Sequence, residues 1–256
     1  MKNETLGPNG RTVVVTGGGR GIGAACSLLC ARQGWAVAVN YASDAGAART
    51  VVERIRAAGG TALDVQADVS DEAQVLAMFA SVDRDLPRLG GLINNAGVVD
   101  VTSRLDTMSL RRVQRMFAIN VFGSFMCARE AVKRLSTAHG GAGGAIVNVS
   151  SVAARLGSPG MYVDYAASKA AIDNFTVGLA REVAAEGIRV NAVRPGIIDT
   201  EIHASGGQAD RVRQISPQLP MQRAGSADEV AQAIVWLLSD AASYTTGALL
   251  DVSGGR

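Results

Sequence analysis

Tyr165 and Lys169 stand four residues apart in Tyr165-Ala166-Ala167-Ser168-Lys169, and a serine pair, Ser150-Ser151, precedes them. A phenol, an ammonium and a hydroxyl are the parts needed to move a proton on and off an alcohol oxygen. The i,i+4 spacing sets the phenol and the ammonium on one helix face. A free phenol titrates at about 10, too high for a base at neutral pH. A neighbouring ammonium and a positive nicotinamide ring would both lower that value. Far upstream lies Thr16-Gly17-Gly18-Gly19-Arg20-Gly21-Ile22-Gly23, directly after a short apolar run. A glycine-rich strand-to-helix turn is where a dinucleotide sets its pyrophosphate. The two constellations imply hydride transfer between a nicotinamide cofactor and a carbonyl or alcohol.

Such parts need elements to hold them. Residues 12–16 are β-branched and read as a buried parallel strand, and Ile22, Cys26 and Leu29 then recur at helical spacing. Further strands are expected at 35–40, 61–66, 91–94, 145–149, 188–193 and 248–252. Helices are expected at 45–58, from an N-cap at Ser70 to about 85, at 110–137, at 164–185, and from a cap at Ser226 to 238. Residues 140–144 read as a flexible link, 152–163 as a loop, and 200–225 as irregular. Alternating strands and helices call for a parallel sheet covered on both faces. Right-handed crossovers make it a doubly wound α/β fold, with ligands at the carboxyl ends of the strands. Each motif falls at that edge. No linker or repeat suggests a second domain, so residues 11–256 read as one domain behind a flexible tail at 1–10.

Composition narrows the function class. The chain has 256 residues, 48% of them hydrophobic, with 25 basic and 23 acidic side chains and a net charge of +2. That balance gives no electrostatic case for nucleic acid or an anionic membrane. Cys26, Cys30 and Cys127 form no C-x-x-C pair and read as small core residues. With two histidines and no carboxylate cluster beside them, no metal site is expected. No apolar run reaches the roughly 18 residues of a membrane span, and the polar start lacks a signal-peptide stretch. A cytoplasmic setting is the resulting expectation.

Five landmarks in order make the chain resemble a classical short-chain dehydrogenase/reductase, of Rossmann type. They are the 16–23 turn, Asn94-Asn95-Ala96-Gly97, Asn120, Ser151 with Tyr165 and Lys169, and Pro195-Gly196. The tail Asp251-Val252-Ser253-Gly254-Gly255 is similar to the family's, and the resemblance spans nearly everything from Arg11 onward. Within the family the chain looks closest to bacterial members of the glucose-dehydrogenase-like or 3-oxoacyl-reductase-like kind.

The resemblance implies roles. Tyr165 would be the acid/base, Lys169 would also hold the nicotinamide ribose, Ser151 would stabilise the substrate oxygen, and Asn120 would fix a water linking Lys169 to solvent. Strand alternation lets only one of Ser150 and Ser151 face the site, and the resemblance selects Ser151. The 14-residue gap from Ser151 to Tyr165 is about one longer than a common family spacing, and Tyr162 is a decoy. Gly17, Gly21, Ile22 and Gly23 would line the pyrophosphate. Asp68 and Val69 would meet the adenine, Asn94, Ala96 and Gly97 the adenosine, and Pro195, Gly196, Ile198 and Thr200 the nicotinamide.

Cofactor choice turns on the second strand's end, Asn40-Tyr41-Ala42-Ser43, which has no carboxylate before Asp44. An acid there would favour NAD. Its absence, with Arg20 able to reach a 2′-phosphate, predicts NADP(H) over NAD(H). The substrate, a small carbonyl or alcohol, would lie between residues 152–163 and a mobile lid at 199–221, watched by Arg155, Met161, Tyr162, His203 and Gln208. Arg111, Arg112 and Arg115 read as a solvated face or subunit contact, with acyl-carrier docking as the alternative. The family resemblance implies a homotetramer. Alternative functions are a 3-oxoacyl-[acyl-carrier-protein] reductase, a glucose-type sugar dehydrogenase, or a cofactor-binding scaffold without catalysis.

Overall fold

A computed structural model describes residues 10–200 and 211–256. Seven strands form one parallel sheet: β1 (Thr12–Val15), β2 (Ala36–Tyr41), β3 (Ala62–Gln66), β4 (Leu89–Asn94), β5 (Gly144–Val149), β6 (Ile188–Pro195) and β7 (Leu249–Val252). Their order is β3-β2-β1-β4-β5-β6-β7. The chain runs outward from β1 through β2 to β3, then returns to place β4 on β1's other side. That reversal makes a crevice at the carboxyl ends of β1 and β4. Register keeps the edge level: Val15 pairs with Val39 and Ile93, Asn94 with Asn148, and Val149 with Val193.

Helices cover both faces. Val13 and Val15 face α1 (Gly21–Arg32), α2 (Ala45–Ala57) and a late helix at Ala227–Leu238, while Val14 faces α3 (Glu72–Asp85) and the helices that follow β4. This alternation follows from successive strand residues pointing to opposite faces. It is the doubly wound fold expected from the sequence.

Local differences have local causes. The N-cap of α3 is Asp71, which accepts from the Gln74 N–H, while Ser70 donates its hydroxyl to Asp68. The expected helix at 110–137 divides into α4 (Leu110–Phe117), a π-helical turn (Ala118–Phe122) and α5 (Gly123–Leu135). The loop after β5 carries a short helix, α6 (Ala153–Leu156), and α7 runs Val163–Val183. In the stretch expected to be irregular, α8 (Arg211–Ile215) forms. α9 (Ala227–Leu238) starts at Ser226 with a reciprocal capping box to Glu229. No helix among the described residues is long and apolar enough to cross a membrane.

Candidate functional site

The glycine turn is built outward from β1. The Thr16 hydroxyl, buried past the strand's end, accepts from the N–H groups of Asn95 and Ala96 at 2.9 and 3.0 Å. This ties the turn to the chain leaving β4. Gly21 takes φ +49°, which few side chains tolerate. Gly23 is required for space: a Cβ there would lie 2.2 Å from the Gly17 carbonyl oxygen. Arg20 is the N-cap of α1 without a side-chain capping bond, and no acidic residue occupies the first turn. The helix therefore presents its positive end, suited to a phosphate. Thr200 packs against Gly21 there.

The end of β2 divides its expected work. Asn40 is buried and turned inward: its Oδ1 accepts from Gly17 N–H, and its amide donates to Ala67 O at 3.0 Å. Tyr41 is half-buried, and Ala42 and Ser43 are exposed at the rim. Arg20 is exposed and lies 3.9 Å from Asp44 Oδ2. Asp68 accepts from the N–H and hydroxyl of Ser70, and Val69 packs under Gly123. Asn94 is not brought to the cleft: strand alternation turns it into the core, where its amide donates to Ser124 O and Asn148 Oδ1. Asn95 lines the cleft instead, bonded to the carbonyls of Thr16 and Gly17.

The other end is α7. Its face presents Tyr165 and Lys169, with Lys169 Nζ 5.7 Å from the Tyr165 ring centre. That ammonium donates to the Val149 carbonyl at 2.7 Å. Ser151 lines the cleft with Tyr165 and holds the phenol's titration down, whereas the Ser150 hydroxyl donates to the Lys169 carbonyl at 3.1 Å. Asn120, in the π turn, accepts from Val98 N–H at 2.8 Å and donates to Val98 O and Ser168 Oγ. It clamps residues 97–98, and a Cβ on Gly97 would stand 3.4 Å from both Asn120 Oδ1 and Lys169 Nζ.

Burial sets the electrostatics of the pair. Burial pushes the Tyr165 phenol above its ordinary value, and the Ser151 bond pulls it only partly back. Burial also pushes Lys169 down to about 8, opposed by the charge of Asp173. Desolvation disfavours both charged forms in the protein alone.

One cleft joins the two ends, running from Ile22 and Thr200 past Pro195, Gly196 and Ile198 to Ser151, Tyr165 and Lys169. Gly196 must be glycine, since a Cβ would meet Ser253 Cα at 2.8 Å. Tyr162 also lines the cleft, its hydroxyl bonded by Thr102, and so does Arg256. Between Gly157 and Gly160, both at positive φ, Ser158 holds φ +47°, a sparsely populated conformation at the cleft wall. Arg155 is exposed and bonds Asp251 and the Arg256 carbonyl, while the Met161 carbonyl accepts from Ser103 N–H. His203 and Gln208 lie outside the described residues. Among the described residues no cluster of His, Cys, Asp and Glu could hold a metal.

The three arginines of α4 do not share a role. Arg111 and Arg115 are exposed, but Arg112 is buried against Asp164, the residue before Tyr165. Nε to Oδ2 is 2.8 Å and Nη2 to Oδ1 is 3.2 Å, with side chains 9% and 1% exposed. Nη1 also donates to Val101 O. No sequence signal pairs residues 52 apart, so this brace was not legible beforehand.

Residues 17–256 match the family described as enoyl-(acyl carrier protein) reductase. The chain is 57% identical to the uncharacterized oxidoreductase YgfF of Escherichia coli (strain K12), covering 95% of this chain and 98% of that one. It is 41% identical to 3beta-hydroxysteroid dehydrogenase 1 of Eggerthella lenta, covering 96% and 93%. A crystal structure of a dehydrogenase/reductase from Sinorhizobium meliloti 1021 superposes with a TM-score of 0.90 at 31% identity, covering 98% and 96%.

Proposed function

The chain belongs to the classical short-chain dehydrogenase/reductase family and is an NAD(P)-dependent oxidoreductase, and we propose that it interconverts a carbonyl and a secondary alcohol using NADP(H). The observation that carries this reading is the meeting of Ser151, Tyr165 and Lys169 in one cleft with the uncapped start of α1.

The residues fit a dinucleotide on their own evidence. The turn is shaped by glycines where a Cβ would collide, and the start of α1 lacks an acidic side chain that would repel phosphate. Arg20 and the rim at 41–43 offer a cation and no strand-end carboxylate, which favours a 2′-phosphate. Asp44 beside Arg20 tempers that preference. The cofactor would lie with its pyrophosphate at Gly21–Gly23 and its nicotinamide near Pro195, Gly196, Ile198 and Thr200. When bound it supplies the hydride.

The side chains manage the proton. In reduction Tyr165 gives its hydroxyl proton to the carbonyl oxygen, and in oxidation it accepts the alcohol proton. Ser151 donates to the same oxygen as charge develops. Lys169 holds a positive charge beside the phenol, and Asn120 fixes the backbone at Val98 next to it. Val99, Val152 and Leu156 give the wall above them an apolar character that suits a small organic carbonyl.

A homotetramer is part of the reading. Phe125 of α5 is exposed and stacks on Phe175 of α7 at 3.8 Å, Phe122 is exposed beside it, and Trp236, Tyr244 and Leu250 are exposed around α9 and β7. These apolar faces suit burial between copies.

The test is a panel of ketones with NADPH deuterated at both C4 positions. The expected product is an alcohol carrying one deuterium on the carbinol carbon. Silence across the panel with both NADPH and NADH would overturn the reading and favour a cofactor-binding scaffold.

A further inference from the structure

We propose that Asp173 is the resident counter-ion that positions Lys169, and that Arg194 restrains it from β6. The proposal rests on the reading of Lys169 as the ammonium of the reaction centre. Lys169 and Asp173 are one turn apart on the same face of α7, and both are buried, at 5% and 8% exposure. Asp173 Oδ2 accepts from Arg194 Nε at 2.9 Å and lies 2.8 Å from Nη2. Its Oδ1 is buried with no hydrogen-bond partner among the described residues. An uncompensated buried carboxylate oxygen is costly, so a cation on the same helix face stabilises it.

Arg194 does not cancel the carboxylate alone, because its Nη1 also lies 3.6 Å from Asp251 Oδ1. The groups arranged around Lys169 are then Tyr165 and Asp173 from α7, the Val149 carbonyl from β5, Arg194 from β6 behind Asp173, and Asp251 from β7 behind Arg194. Asn120 and Gly97 bring no charge. Burial drives Lys169 toward the neutral amine, and the Asp173 charge opposes that drift. Without Asp173 the ammonium beside Tyr165 would fade within the neutral range. Asp173 touches no reacting atom in this scheme; it acts through Lys169.

The chain has only three lysines, Lys2, Lys133 and Lys169. Each can be followed by NMR of the intact protein labelled with [13Cε]lysine, titrated without cofactor or substrate, with Lys169→Met used for assignment. The Lys169 midpoint is expected near 8 in the wild type. It should fall by about one unit in Asp173→Asn, which keeps the side-chain shape while removing the charge. It should rise in Arg194→Met, which removes a like charge and releases Asp173 toward Lys169. A structural role would not move the midpoint in opposite directions. An Lys169 midpoint unchanged in Asp173→Asn overturns the proposal. Should that variant fail to fold by circular dichroism, Arg194→Met decides alone: a rise supports the proposal and no rise overturns it. The titration needs no turnover, so an enzyme that proves inactive on every carbonyl can still show the coupling, and an active one can lack it.

Discussion

At the α1 end of the cleft the chain works mainly with backbone, whereas at the α7 end it works with buried side chains. The α1 end offers glycines, a helix terminus and one exposed guanidinium, with Thr16, Asn40 and Asn95 spent on holding the turn's shape. The α7 end holds a half-buried phenol and a buried ammonium, braced by Ser151, Asn120, Asp173 and Arg112 through Asp164. The first end suits binding, because a preformed turn costs little to occupy. The second suits reaction, because burial brings the Lys169 ammonium down to about 8, into the range in which it exchanges protons.

That contrast can be broken at chosen points. Tyr165→Phe should lower turnover about a thousandfold, since the phenol is the group that hands over the proton; steady-state kinetics would show it, and retained turnover would remove Tyr165 from its role. Arg112→Met leaves Asp164 buried and unpaired next to Tyr165. It should cost about 3 kcal/mol in urea unfolding; an unchanged midpoint would mean the brace is not a stabilising element. Arg20→Ala should weaken NADPH about tenfold, or about 1.4 kcal/mol, while leaving NADH and turnover nearly as they were.

The smallest expected effect is on pH. Reduction needs Tyr165 protonated and Lys169 charged. Lys169, at about 8, releases its proton first, while burial keeps the phenol protonated above its usual range. kcat/KM for reduction should therefore hold below that value and fall as pH rises through about 8. A profile flat to pH 9.5 would separate Lys169 from the rate.

Much of the fold was legible because periodicity and caps are local: the β-branched run before Thr16 and the Ser226 cap each lie within a few residues of what they specify. The break in the α4–α5 stretch was not, since the π turn places Asn120 against Val98 and Ser168, far along the chain. The turn and the Tyr165–Lys169 pair were readable as motifs. Asn94 and Asn95 were confused because a strand end decides facing by one residue. Asp173 and Arg194 went unseen for the same reason as Arg112 and Asp164: buried ion pairs between distant segments have no sequence period.

The division between a binding end and a reacting end is tested most directly by one fluorescence titration, using Trp35 and Trp236 as reporters, of NADPH and NADH against wild type, Tyr165→Phe and Arg20→Ala. The expected result is NADPH affinity within about twofold of wild type in Tyr165→Phe despite its lost turnover, and a selective loss of NADPH affinity in Arg20→Ala. Equal affinity for the two cofactors in wild type, or a loss of binding in Tyr165→Phe matching its loss of rate, would contradict it.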